Sequence, residues 1–201
     1  ESRTFPPSRD LAETAAARED LYAQAAADHD GFWLEQATGF LDWETPPTVA
    51  CDRSRAPFFT WFADGTLNAS VNCLDRHLET AGDRVAFHWE GEPGDRRSVT
   101  YRELHREVCR FANGLRSLGV KRGDKVAIYL GMIPEVAAAM LACARIGAVH
   151  TLVFAGFSPD SLRDRILGCD CTVLITGDGS HRNGKVVALK GNADVALAQC
   201  P

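Results

Sequence analysis

Short, almost continuously apolar runs alternate with helical patterns over the second half of the chain. Three of these runs have strand length, namely residues 125–130, 148–154 and 171–176. Nearly continuous apolar character is typical of strands that a parallel sheet buries on both faces. The pattern therefore predicts an α/β fold with a mostly parallel sheet flanked by helices.

Helices are predicted between these strands. Pro134 favours a helix start, and the apolar segment after it runs to Gly147, a typical helix terminator. Ser158 and Pro159 are a suitable N-cap and first residue for a second helix, which we expect to reach about Leu167. The helix from Pro134 is apolar on nearly all sides, which indicates burial between the sheet and a neighbouring element.

Two regions are predicted. Residues 1–66 begin with a helix capped by Asp10, and an aromatic stretch interrupted by prolines follows from Phe32. We expect that stretch to be an extended arm. Residues 67–201 begin with a helix from Asn68 to about residue 80 and lead into the sheet.

A β-hairpin precedes the sheet in this second region. The strand-like runs 84–90 and 98–101 are separated by the polar turn 91–95, which predicts antiparallel pairing. Thr100 and Glu103 have the spacing of a capping box, so a long helix is expected to begin there.

Composition and charge narrow the classes of partner. The net charge of −5 gives no reason to expect binding to nucleic acid or to a membrane surface. The N-terminus has no signal-peptide pattern, and the longest apolar stretch, 136–144, is too short to cross a bilayer. The seven cysteines include no CxxC pair, and no HExxH occurs, so we predict free thiols and no metal site. These features together lead us to expect a cytoplasmic protein.

Two segments are candidates for anion binding. Residues 179–186 nearly match a phosphate loop, but Val186 lacks the hydroxyl that would hold Mg²⁺. Arg182, Lys185 and His181 remain as a phosphate clamp, and a solvated basic loop is an equally good interpretation. The turn 154–159 joins a strand end to a helix start, where α/β proteins bind ligands; an ordinary tight turn is the alternative.

Longer segments resemble a known family. Residues 64–78, 99–113, 133–150 and 153–160 are similar, in order and spacing, to segments of AMP-forming acetyl-CoA synthetases, which belong to the acyl-adenylate-forming superfamily. The resemblance covers nearly the whole chain from Phe32 onward. It implies an N-terminal third of such an enzyme, with residues 1–66 as its N-terminal region and residues 67–201 as the first part of the AMP-binding domain.

The resemblance also implies a reaction. Acetate and ATP give acetyl-adenylate and pyrophosphate, and the CoA thiol then attacks the acyl carbonyl, with Mg²⁺ assisting the first step. The family's adenylation residues have no match here, so we assign no catalytic residue and expect the isolated 201-residue chain to be inactive. The remainder of a full-length chain would supply them. A propionyl-CoA synthetase and a non-catalytic CoA-binding module are the alternatives.

The CoA site is the part of the family's machinery that has counterparts here. Phe154, Ala155 and Gly156 correspond to a Phe-Gly-Gly turn of the family, and Arg182 and Lys185 to the arginines of its Arg-x-x-Arg loop. Two positions depart from the family pattern. Alanine replaces a glycine at 155, and lysine replaces an arginine at 185, which keeps the charge but loses the planar fork.

Overall fold

A computed structural model of the protein describes residues 2–201. The chain divides into two compact units, which meet in the sequence between Leu67 and Asn68. Each unit has its own secondary structure and is described separately.

The first unit begins with three helices: α1 (Arg9–Thr14), α2 (Glu19–Ala27) and α3 (His29–Phe40). The prediction of a helix capped by Asp10 is wrong, because Ser8 is the N-cap and Asp10 lies in the first turn. The extended arm was also predicted to begin too early. Asp28 caps α3 by accepting a hydrogen bond from the Gly31 amide at 3.0 Å, and no proline interrupts the segment before residue 46.

Mostly irregular chain follows α3 in the first unit. The short strands β1 (Cys51–Asp52) and β2 (Thr60–Trp61) pair antiparallel. The Asp64 carboxylate accepts hydrogen bonds from the Thr48 amide at 2.8 Å and the Thr48 hydroxyl at 2.6 Å. These bonds hold the pKa of Asp64 below its usual value.

The second unit opens with a broken helix. Asn68 caps α4 (Ala69–Cys73) as predicted, but a 3₁₀ turn (Asp75–His77) separates α4 from α5 (Leu78–Ala81). The single helix predicted to residue 80 is therefore wrong. Leu74, at the break, is 1% exposed, and the Asp75 carboxylate makes two hydrogen bonds with Arg145, at 2.7 and 2.8 Å. These contacts with distant residues outweigh the local helical pattern.

The predicted hairpin and long helix are both present. Strands β3 (Val85–Glu90) and β4 (Arg96–Thr100) pair antiparallel. Helix α6 (Tyr101–Ser117) starts with the predicted capping box, in which Thr100 and Glu103 each bond the other's backbone amide. Hydrogen bonds from Thr100 lower the pKa of Glu103.

The rest of the second unit alternates strands with helices up to residue 176, as predicted, and two further strands that were not predicted precede the last helix. In chain order the elements are β5 (Lys125–Leu130), α7 (Pro134–Ile146), β6 (Val149–Phe154), α8 (Pro159–Cys169), β7 (Val173–Thr176), β8 (Ser180–Arg182), β9 (Lys185–Val187) and α9 (Leu189–Leu197). Strands β6, β5 and β7 form a parallel sheet in that order. Gly147 ends α7 in the left-handed conformation, and Ser158 caps α8.

Successive residues of β5 face two separate cores. Val126, Ile128 and Leu130 belong to a core shared with α6 and α7. Ala127 and Tyr129 belong to a second core, shared with α8 and α9. This alternation follows from the period of two in a strand, and it places helices on both faces of the sheet. The predicted α/β class is confirmed.

Candidate functional site

The carboxyl ends of β5 and β6 lie side by side, because the strands are parallel and Leu130 pairs with Phe154. The turn that leads from β6 into α8 therefore starts at an edge of the sheet where α/β proteins commonly bind ligands. Phe154 is 49% exposed at this edge, whereas Ala155 is buried in the second core.

A buried tyrosine holds this turn in place. Tyr129 is fully buried, and its hydroxyl donates to the Phe157 carbonyl at 3.0 Å. The Ala155 carbonyl lies 3.3 Å from the same hydroxyl, which also accepts a hydrogen bond of 3.2 Å from the Asn192 side chain. The turn between β6 and α8 is thus tied both to β5 and to α9.

The segment that resembled a phosphate loop is a β-hairpin. Strands β8 and β9 pair antiparallel, and the two residues between them, Asn183 and Gly184, have φ values of 51° and 70°. Two positive φ values define a type I′ turn, for which Asn-Gly is the preferred sequence. The loop expected here is therefore a hairpin, and the Asn-Gly pair was the signal in the sequence that could have revealed it.

The hairpin places both of its basic candidates on one face. Arg182 pairs directly with Lys185, and side chains that lie opposite each other in an antiparallel pair project to the same side. His181 pairs with Val186 and projects to the other side. The Gly184 amide donates to the Glu92 carboxylate at 2.6 Å, which fixes the tip of the hairpin to the β3–β4 turn.

Arg182 reaches from the hairpin to the turn after β6. Its guanidinium carbon lies 4.4 Å from the centroid of the Phe154 ring, which is close enough for a cation–π contact. Gly156 leaves room for this arrangement. A Cβ atom on Gly156 would lie 2.3 Å from the Nη1 atom of Arg182, which no real contact allows.

A cleft of about 340 Å³ lies beside this contact. It is bordered by the β3–β4 turn, the residues after β5, the end of β6 and strand β8, including Arg182. Trp89 forms part of its wall and donates from the indole nitrogen to the Met132 carbonyl at 2.7 Å. The cleft is open and has polar and apolar walls, and the carboxylates of Glu90, Glu92 and Asp95 line it together with Arg182.

Arg182 and Lys185 bring two positive charges to this face of the hairpin. Within the described residues neither Arg182 nor Lys185 makes an ion pair with a carboxylate. An arginine supplies a planar fork of donors and a lysine a point charge, and both suit phosphate oxygens. Of the residues predicted for this site, Phe154, Gly156 and Arg182 lie in contact, and Lys185 lies on the same face of the hairpin as Arg182.

The remaining candidate groups are not clustered. All seven cysteines are free thiols, and Cys143 is buried, which raises the pKa of its thiol to about 11. No three His, Cys, Asp or Glu side chains in residues 2–201 are grouped closely enough to hold a metal ion. Over the same residues, no helix has the length and apolar character needed to span a membrane.

The fold is of the α/β class, and comparison with known proteins identifies the family. A family model described as AMP-binding enzyme matches residues 74–199, well over half of the chain, so the chain belongs to the AMP-binding enzyme family. A second model, described as acetyl-coenzyme A synthetase N-terminus, matches residues 18–73.

The similar proteins are acetyl-coenzyme A synthetases. That of Gemmatimonas aurantiaca is 57% identical over 203 residues, covering 100% of this chain and 31% of the relative. That of Streptomyces avermitilis is 54% identical over 200 residues, covering 99% of this chain and 30% of the relative. Acetyl-coenzyme A synthetase 2 of Pseudomonas aeruginosa is 55% identical over 183 residues, covering 90% of this chain and 28% of the relative. The chain thus spans about 30% of the length of these relatives.

Proposed function

We propose that this chain is the N-terminal part of an AMP-forming acetate–CoA ligase. In the complete protein, a carboxylate oxygen of acetate attacks the α-phosphorus of ATP and pyrophosphate leaves. The CoA thiol then attacks the carbonyl carbon of acetyl-adenylate, loses its proton and releases AMP. The observation that carries this proposal is the identity of 50 to 57% to acetyl-coenzyme A synthetases along almost the entire chain.

Within that reaction, this chain contributes to the binding of CoA. Arg182 and Lys185 donate hydrogen bonds to phosphate groups of CoA, and the Phe154 ring holds the Arg182 guanidinium over the turn. Gly156 leaves the space that this guanidinium occupies. Ala155, the position where the family has a glycine, packs into the core beneath the sheet and borders the cleft.

The chemistry of adenylation belongs to other segments of the complete protein. No catalytic residue and no ligand for the Mg²⁺ that accompanies ATP is assigned to this chain. We further propose a cytoplasmic location, because free thiols are typical of a reducing compartment and all seven cysteines are free. The other partners are the small molecules acetate and ATP.

Product analysis of the complete protein tests the proposed activity. With acetate, ATP, Mg²⁺ and CoA, we expect acetyl-CoA, AMP and pyrophosphate in equal amounts. Without CoA, we expect acetate-dependent exchange of pyrophosphate into ATP. Formation of ADP and phosphate in place of AMP and pyrophosphate would refute the proposal. The 201-residue chain alone is expected to show no exchange, and robust exchange by that chain would contradict the roles assigned above.

A further inference from the structure

A second arginine contacts the other ring of the same aromatic pair. The guanidinium carbon of Arg165, a residue of α8, lies 5.0 Å from the centroid of the Phe157 ring. That ring contacts Phe154 edge to face, with centroids 5.8 Å apart and planes at 83°. Since Phe154 carries Arg182, two perpendicular rings in contact each hold one arginine.

The charge of Arg165 is not neutralised by the protein. No carboxylate in the part of the chain that the structure describes forms an ion pair with it. Arg163, two residues earlier on the same helix, is the contrast. It bonds Asp160 at 3.0 Å, Asp164 at 2.7 Å and Gln199 at 2.8 Å.

The direction of the side chain follows from helix geometry. Side chains on a helix point towards its N-terminus, so Arg165 reaches back towards the turn that precedes α8. Contact with the Phe157 ring covers one face of the guanidinium and restricts its rotation. The N–H edge remains open for bidentate bonds to an anion, and less conformational entropy is lost when the anion binds.

We infer that Arg165 is a further ligand-binding residue of this face and donates hydrogen bonds to a phosphate of the same ligand as Arg182. Two guanidinium groups that contact adjacent rings, together with Lys185 on the same hairpin as Arg182, suit a ligand that carries several phosphate groups. CoA has a diphosphate and a separate 3′-phosphate. The inference therefore rests on the proposed function and extends its binding site to α8.

Steady-state kinetics of the complete protein tests this inference. Arg165→Gln is expected to raise the KM for CoA about tenfold, the effect of losing about 1.4 kcal/mol of binding. The kcat and the acetate-dependent pyrophosphate exchange stay at wild-type values, because adenylation does not use this face. Arg165→Lys keeps the charge without the fork and is expected to give an intermediate KM. Arg163→Gln removes a charge from the same helix and is expected to leave the KM unchanged.

The outcomes separate the inference from the proposed function. If Arg165→Gln has a wild-type KM for CoA while Arg182→Gln/Lys185→Gln does not, the inference is wrong and the CoA site stands. If neither variant changes this KM, the inference and the CoA-binding role of Arg182 and Lys185 are both wrong, while the ligase activity is decided separately by product analysis. A fall in kcat and exchange together with the rise in KM would show that Arg165 supports the fold rather than the ligand, which also overturns the inference.

Discussion

Gly156 and Arg182 come together although they lie in different elements: a Cβ atom on Gly156 would be 2.3 Å from Nη1 of Arg182. The Arg182 guanidinium therefore occupies space that a side chain at position 156 would take, and it would have to move if one were present. The same absent Cβ would lie 2.8 Å from Cε1 of Phe154, so the ring and the guanidinium both occupy the space next to Gly156.

Gly156→Ala is expected to displace Arg182 from the Phe154 ring and raise the KM for CoA several-fold. Its methyl group cannot be accommodated unless the flexible end of the arginine moves. Gly168→Ala is the matched control, since a Cβ there meets nothing within 4 Å. The steady-state KM for CoA is measured for both variants. Equal values for the two would show that the position of Arg182 has no part in binding CoA.

Tyr129→Phe is expected to loosen the turn that carries Phe154 to Phe157. The variant loses the hydroxyl that donates to the Phe157 carbonyl and accepts from Asn192. Loss of such bonds costs about 1–3 kcal/mol, so amide exchange in residues 154–158 should speed up by about 5- to 150-fold. Hydrogen–deuterium exchange measures this, with Tyr22→Phe, at an exposed tyrosine, as the control. Unchanged protection of the turn would contradict the role given to Tyr129.

The parts of this fold that the sequence predicts are those in which local pattern and burial agree. Strand β5 is predicted to the residue, because both of its faces are buried and its sequence is apolar after Lys125. Helices α7 and α8 are predicted at their starts by Pro134 and by the Ser158 cap. The prediction of a single helix from Asn68 is wrong, because the break in it accompanies the hydrogen bonds between Asp75 and Arg145, which is distant in the sequence.

The candidate site is only partly predictable for a related reason. The resemblance singles out Phe154 and Arg182, but no local pattern says that the guanidinium of one rests on the ring of the other. That contact depends on the β8–β9 hairpin, whose Asn-Gly turn lies within a segment that also resembles a phosphate loop. The sequence predicts that Arg165 lies on a helix, but it does not show which arginine of that helix is paired. The structure shows that Arg163 pairs with Asp160, whereas Arg165 contacts the Phe157 ring.

The reactivity of the cysteines should follow their burial. Cys143 is fully buried, and burial raises the pKa of its thiol to about 11, so little thiolate forms at pH 8. Cys73 is exposed. Brief treatment with iodoacetamide at pH 8 should therefore alkylate Cys73 and spare Cys143 until the protein is unfolded, which peptide mass spectrometry can follow. Rapid alkylation of native Cys143 would mean that α7 does not pack as described.

Asp64 makes the stability of the first unit depend on pH, with a sign that follows from its lowered pKa. Hydrogen bonds from Thr48 lower the pKa of Asp64 in the folded state. The stabilisation is therefore complete above the ordinary aspartate pKa of about 3.9 and is lost as the pH falls through the lowered value. A carboxyl ¹³C titration by NMR should give a midpoint below the ordinary value, and Thr48→Val should move it upward. An ordinary midpoint in the wild type would refute this role.

We propose that the face formed by the β6–α8 turn and the β8–β9 hairpin holds the phosphates of CoA. The most direct test is the KM for CoA of the complete protein carrying Arg182→Gln/Lys185→Gln, compared with Arg163→Gln/Lys190→Gln. The control removes the same charge from residues that are paired with Asp160, Asp164 and Asp194. We predict at least about a tenfold rise for the first variant only, equivalent to about 1.4 kcal/mol, with unchanged acetate-dependent pyrophosphate exchange. An unchanged KM for CoA in the Arg182→Gln/Lys185→Gln variant, with or without a loss of exchange, would show that this face does not hold the phosphates of CoA.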